Sequence, residues 1–309
     1  MSSMLPKIPR FYINELEYLH SNGYDFGWSF PKQFRTLPVI PSTIDTVPLN
    51  NYHELVIDFP IELNNPFIFT LGHNGAFVVP YNSYTNPVHL FAEGTTVNDN
   101  TATSPEISGW SLACLNGIPN YIKVRENFLI GSLVVGSFWE PPHSVDLNVK
   151  MTFDYSGTKN IKTRGGSTLS NTSWTRNPKW GDIPAWELDR PEAQLKLSKT
   201  GRRIWDIGFS FFTESNLLPN ILNTSIGDDS TASSDTYLAD TLHNDATDFY
   251  SQVITKTLGC GNRPFIFSPD STSTTLDNFA ICTFDAKRFS LNQTSPNLYS
   301  TKMRIVETW

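Results

Sequence analysis

Apolar and polar residues alternate most regularly in the last third of the chain. Over residues 204–212, Trp205, Ile207, Phe209 and Phe211 fall on one face and Asp206, Gly208 and Ser210 on the other, the period of two of a half-buried strand. The period then changes. From 248 to 258, Phe249, Tyr250, Val253, Ile254 and Leu258 recur at spacings of three and four, which predicts a helix with one apolar side. Asp245 or Thr247 is placed to cap its start, and Gly259 to end it in a left-handed conformation. The turn 259–264 leads into a strand at 265–267, which Pro264 can open but not continue. Two more strands are predicted at 279–284 and 298–306; in the second, Tyr299, Met303 and Ile305 oppose Lys302 and Arg304.

Upstream, short runs at 55–59, 67–71, 75–79, 110–115, 121–124, 128–135 and 147–155 follow one another with loops between them. So many short strands in about a hundred residues predict a β-sandwich or jelly roll. The last run alternates strictly, with Leu147, Val149, Met151, Phe153 and Tyr155 against Asn148, Lys150, Thr152 and Asp154. It is expected to turn one face to the core and one to water. Near the start, Phe11, Tyr12 and Ile13 are strand-like and precede a stretch punctuated by Gly and Pro. The expected organisation is an arm at 1–45, a sandwich domain at 46–156 and a second domain at 157–309; the arm either stands alone or adds a strand to the C-terminal block. The fold class is all-β with one α-helix.

Composition sharpens this reading. The 21 Phe, 11 Tyr and 8 Trp, with only 17% charged residues, suit sheets better than helical bundles. The net charge of −7 and the lack of a long Lys/Arg run argue against a nucleic-acid partner. Cys114, Cys260 and Cys282 are odd in number and show no C-x-x-C spacing, so reduced structural thiols are expected. The N-terminus lacks the apolar core of a signal peptide, and no apolar run approaches the ~20 residues of a membrane helix. No membrane insertion is expected.

Residues with possible chemistry are sparse. Asp228, Asp229, Asp235 and Asp240 supply oxygen ligands but miss the spacing of a calcium loop, and a solvated acidic loop explains them. His73, His89 and His143 form no pair at metal-ligand spacing. No nucleophile elbow or Walker loop is present. The two glycines of 259–264 follow a helix, which turns the wrong helix end toward an anion. Asp146 with Asp154 is the carboxylate pair considered for glycoside cleavage. Trp174, Trp180 and Trp186 lie in an aperiodic stretch, and with Trp110 and Trp139 they would suit either a sugar platform or an interface. No catalytic residue, metal or cofactor is assigned.

The C-terminal order is an aromatic strand, a helix, a Gly turn, "RPFIF", Asp270, "FDAKRFSLNQ" and a last strand ending near Glu307. It resembles the C-terminal part of tail proteins of long-tailed bacteriophages, of the distal-tail or baseplate-hub kind. The likeness extends upstream through "WGDIPAW", "TRGGSTLSNTSW" and "HSVDLNVKMTFDYSG" to cover roughly residues 125–309. "ENFLIGSLVVGSFWEPPHSVDL" resembles the late strands of galactose-binding-like sandwiches. The resemblance implies a β-barrel-like hub domain and a non-enzymatic part of the virion tail, assembled in the host cytoplasm as a ring, with six copies favoured. Its neighbours would be tube, hub, fibre or receptor-binding proteins. A carbohydrate-binding sandwich is the alternative, and a polysaccharide hydrolase ranks third.

Overall fold

The computed structural model describes residues 7–26, 32–37, 48–49, 52–56, 63–71, 78–81, 110–114, 121–125, 131–154, 158–172, 201–217, 247–259, 261–273 and 278–308. The strands are β1 (Arg10–Asn14), β2 (Pro48–Leu49), β3 (Tyr52–Val56), β4 (Pro66–Leu71), β5 (Val78–Tyr81), β6 (Trp110–Cys114), β7 (Tyr121–Arg125) and β8 (Ser132–Trp139). They continue as β9 (Lys150–Asp154), β10 (Thr158–Lys162), β11 (Thr168–Thr172), β12 (Arg202–Thr213), β13 (Phe265–Ser268), β14 (Ala280–Phe284), β15 (Asn292–Ser295) and β16 (Leu298–Glu307). Helix α1 (Glu15–Ser21) follows β1 directly. The protein is predominantly β, and every strand pair among the described residues is antiparallel. Among the described residues no helix is long and apolar enough to cross a membrane.

One sheet of ten strands runs in the order β6-β4-β8-β1-β13-β14-β16-β12-β9, with β15 paired to β16. A second sheet has the order β2-β3-β7-β5, and β10 with β11 forms a separate hairpin. All seven upstream runs contain or overlap a strand, but they divide between the two sheets. The large sheet therefore runs across the positions near 45 and 156 at which the sequence suggests dividing the chain.

Near the middle of that sheet is β1. It lies between β8 and β13, with Phe11 opposite both Trp139 and Phe267. Both of its faces are covered, which is why it reads as an unbroken apolar run and does not alternate. On one side Phe11 lies 5.3 Å from the ring of Phe267 and 5.6 Å from that of Phe249. On the other Tyr12 lies 5.0 Å from Phe67 and 5.5 Å from Phe138. Burying each such ring contributes roughly 1.5–3 kcal/mol. Gly136 of β8 faces Asn14, and a Cβ there would come 1.9 Å from the carbonyl oxygen of Ile13. Only glycine lets the two backbones approach so closely.

Four expectations are corrected by local geometry. Trp205, Ile207 and Phe209 of β12 are buried as their alternation predicts, but the register slips between Phe209 and Phe212. A bulge inserts a residue and reverses the facing, so Phe212 is buried and Phe211 is 66% exposed. The segment 248–258 is mainly a π-helix, Tyr250–Ile254, continued by an α-helical turn, Thr255–Thr257. Its start is capped by Asp248, whose Oδ1 accepts from the Ser251 N–H at 2.8 Å. Thr247 is exposed, and among the described residues its carbonyl accepts from the Trp139 indole N–H; Asp245 lies outside the described residues. The left-handed positions of the following turn are Gly261 (φ 86°) and Asn262 (φ 58°). Gly259 serves a different need, because a Cβ there would meet the Thr255 carbonyl oxygen at 2.7 Å.

Candidate functional site

At β9 the large sheet extends past its own core. Met151 pairs with Trp205 and Phe153 with Arg203, and directly opposed residues of an antiparallel pair share a face. Met151 thus points the way Trp205 does, as the alternation predicts, while Leu147 and Val149 lie just before the strand. β9 is, however, the last strand, and Leu147 is 85%, Val149 40% and Met151 42% exposed. The expected core face is largely uncovered. Period-two alternation fixes which way a side chain points; it carries no information on whether a second layer reaches that far. Among the described residues the outer edge of β9 has no strand partner.

The hairpin β10–β11 begins only a few residues beyond β9. Its turn is well built: the Thr163 N–H donates to the Ser167 carbonyl at 2.8 Å, and the Ser167 N–H donates to Thr163 Oγ1 at 3.1 Å. Gly166 takes φ 87°. The strands register from Thr158 opposite Thr172 to Lys162 opposite Thr168, which puts Ile161 directly across from Leu169. Ile161 is 62% and Leu169 60% exposed. Residues 159–162 and 164–171 are all exposed. This stretch carries Lys159, Lys162 and Arg164 and no acid, within a chain of net charge −7.

Elsewhere the sheet is fastened by buried charge. Glu15 and Lys256, far apart in sequence, form an ion pair at 2.5 Å and are both almost fully buried. The same Glu15 Oε1 accepts from Ser137 Oγ at 2.7 Å, while Lys256 also donates to Gln252 Oε1 at 2.9 Å. The group joins the start of α1, β8 and the segment after the π-helix. At the other end, Arg203 of β12 meets Glu307 of β16 through two side-chain bonds of 3.1 and 2.9 Å, and gives a third to the Phe279 carbonyl at 2.7 Å. Cys282, opposite Glu307, is a free thiol and fully enclosed. Burial pushes its pKa well up and the Glu307 carboxylate adds to this, with Arg203 opposing. A thiol so held is packing and not a nucleophile.

The sequence-predicted candidates fare unevenly. Trp174, Trp180 and Trp186 lie outside the described residues, as do Asp228, Asp229, Asp235, Asp240, His73, His89 and Cys260. For Trp110 and Cys114 only the strand is described. Trp139 is no sugar platform: it is 6% exposed, 4.7 Å from the Phe249 ring and 5.9 Å from Phe11. His143 is exposed on the turn between β8 and β9. Asp146 accepts from Ser210 Oγ at 2.6 Å, and its N–H bonds the Gly208 carbonyl, whereas Asp154 pairs with Arg202. Six residues of β12 separate those contacts, roughly 20 Å, so the two acids are too far apart to flank one glycosidic bond. Among the described residues no group of three or more His, Cys, Asp or Glu side chains is arranged to hold a metal ion. The hairpin was not anticipated. Its trace in the sequence is a Gly-Gly turn between two five-residue runs that carry one aliphatic residue each. No protein-family model, curated protein or solved structure matches the chain.

Proposed function

We propose that the chain is a structural subunit of a long-tailed bacteriophage tail tip, of the distal-tail or baseplate-hub kind, assembled laterally into a closed ring. Six copies are favoured, joined to tube, hub and fibre or receptor-binding proteins. The observation that carries this reading is the large antiparallel sheet itself. It is locked near its middle by an N-terminal strand and C-terminal strands, and at its β9 end apolar side chains lie exposed beside an edge that has no strand partner among the described residues. A lone protein normally blunts such an edge, and a cyclic head-to-tail assembly covers it in every copy. The C-terminal segments that resemble tail proteins, "RPFIF" and "FDAKRFSLNQ", contribute β13 and the stretch after β14 in this same sheet. In this reading the large sheet, which takes in β4, β6, β8 and β9, curls into a barrel-like hub, and the sheet β2-β3-β7-β5 belongs to a galactose-binding-like sandwich. Residues 158–172 are basic within an acidic chain, yet the subunit takes no sequence-specific nucleic acid.

Mass measurement of the purified protein together with symmetry analysis of labelled tail particles tests the reading. A closed ring on the tail axis is the expected result. A monomer at high concentration that sits off the axis on the particle would overturn it and favour a peripheral sugar-binding role.

A further inference from the structure

We infer that the tip of the β10–β11 hairpin docks on an anionic lipid surface, with Ile161 and Leu169 entering the headgroup layer and Lys159, Lys162 and Arg164 meeting the phosphates. The inference goes beyond the tail-tip reading and does not depend on it, since every residue it uses belongs to one hairpin of one chain. The register places these groups. Ile161 and Leu169 oppose each other next to the pair Lys162–Thr168 that closes the turn, and directly opposed residues share a face. Lys159 is two residues from Ile161 in the same strand, so it flanks the aliphatic pair on that face. Lys162 turns to the other face, and Arg164 sits in the turn itself. Both aliphatic side chains lie open to solvent, Ile161 at 62% and Leu169 at 60%. From Arg164 back to Ile161 is at most roughly 10 Å of chain, which matches the roughly 5–10 Å to which an interfacial segment sinks its apolar face.

Charge selects an anion. No acid occurs between Asp154 and Asp182, and none of the three cations is held in an ion pair among the described residues. The chain as a whole carries a charge of −7, so an anionic surface attracts this hairpin and repels the acidic remainder, which orients the approach. The rest of the hairpin's chemistry selects lipid among anions. A soluble polyphosphate or a nucleic-acid backbone would engage the cations but would leave the two aliphatic side chains in water. An acidic protein would have to cover far more, because a stable interface buries roughly 800 Å² on each partner and the apolar content here is two side chains. Adding a strand to the edge of β10 is opposed by Lys159 and Lys162, since lysine on an exposed strand blunts pairing. A bilayer needs neither a large area nor a matching edge; a few aliphatic groups beside cations suffice. The turn also satisfies its own backbone, with the Gly166 N–H donating to the Thr163 carbonyl at 3.0 Å and the Thr163 N–H to the Ser167 carbonyl at 2.8 Å, and unpaired backbone groups are what lipid penalises. The five-residue strands are too short to span a bilayer, which takes about 9–11 residues per strand, so the contact is made from one side.

The test floats the full chain with vesicles of phosphatidylcholine alone and with vesicles of phosphatidylcholine mixed with phosphatidylglycerol. The natural chain is expected to float only with the second kind and to be released by raised salt. Lys159→Gln with Lys162→Gln and Arg164→Gln lowers the vesicle affinity about a hundredfold. Ile161→Ser with Leu169→Ser lowers it about tenfold or more while leaving the charge unchanged. All five positions are exposed, and thermal unfolding checks each fold. Ile161→Phe with Leu169→Phe keeps an apolar cross-strand pair and is expected to bind at least as tightly as the natural chain, which separates loss of lipid contact from loosening of the hairpin. A natural chain that floats with neither vesicle overturns the inference, as does full binding by the glutamine or the serine variant. Polyglutamate and inorganic polyphosphate are the remaining probes. Binding to either as tight as to the vesicles, and untouched by the serine changes, assigns the hairpin to an acidic protein or a general polyanion and overturns the lipid.

Discussion

Replacing Lys256 by Met tests whether the buried Glu15–Lys256 pair fastens β1 into the sheet. Glu15 is completely buried and Lys256 2% exposed at the side chain. Glu15 Oε1 takes two donors, from Lys256 and Ser137, and Oε2 has no hydrogen-bond partner among the described residues. Without the ammonium group the carboxylate keeps one hydroxyl donor and no countercharge. Removing one partner of a buried pair costs about 3–5 kcal/mol, because a charge is left where water cannot reach it. Domains hold together by only about 5–15 kcal/mol, so the loss is a large fraction of the whole. Urea unfolding of the natural chain, Lys256→Met, Glu15→Gln and the double variant measures it, with the midpoint expected to fall and the slope to stay constant. The double variant removes both charges together and is expected to be more stable than the sum of the single losses implies, by about 2 kcal/mol or more. A Lys256→Met loss below about 1 kcal/mol, or single losses that simply add, would refute the fastening role.

Gly136→Ala is expected to destabilise by about 3 kcal/mol or more, because the added methyl meets backbone of β1 and no rotamer change relieves it; thermal unfolding reads this, and a loss within about 0.5 kcal/mol would show that β1 and β8 separate freely. Two aspartates tilt acid stability in opposite directions. The slight burial of Asp270 would raise its pKa, but hydrogen bonds from Thr272 and the Lys7 ammonium outweigh it and hold the carboxyl low. Its contribution is therefore complete above about pH 3.9 and lost as pH falls through the lower folded value. Burial of Asp248 raises its carboxyl despite the Ser251 bonds, so its contribution is complete below about pH 3.9 and declines as pH rises through the folded value. Urea midpoints between about pH 2 and 6 should show Asp270→Asn flattening the acid limb. Asp248→Asn, which keeps a capping acceptor, should remove a fall on the upper side, and equal slopes in both variants would contradict the assignment.

Much of the large sheet was legible because its strands bury one face, and a buried face writes itself into sequence as alternation. β12 and β16 show it, whereas β1, β13 and β14 are legible as short apolar runs because both of their faces are buried. β15 was missed for the complementary reason: all four of its residues are exposed and polar, and a left-handed Asn297 in the turn to β16 is its main local sign. The bulge at Phe209 to Phe212 left no mark, since Phe211 and Phe212 are chemically alike and only the partner strand decides which one turns inward. Pairing at long range was equally silent. Glu15 sits in the sequence as an ordinary first-turn acid, and nothing nearby announces Lys256.

The same distinction explains why the candidate surface could not be read beforehand. Alternation in the β9 stripe reports a drive to leave water, and it looks alike whether the cover is supplied by this chain or by another. What separates the two cases is position in the sheet. β1, with a neighbour on each side and aromatic layers on both faces, cannot be assembled until residues 265–268 have been made, so its apolar side chains are satisfied within the fold by long-range pairing. β9 joins the sheet through β12 alone and has nothing beyond it among the described residues. An apolar stripe at the centre of a sheet is consumed by folding; at its last strand the same kind of stripe is left exposed.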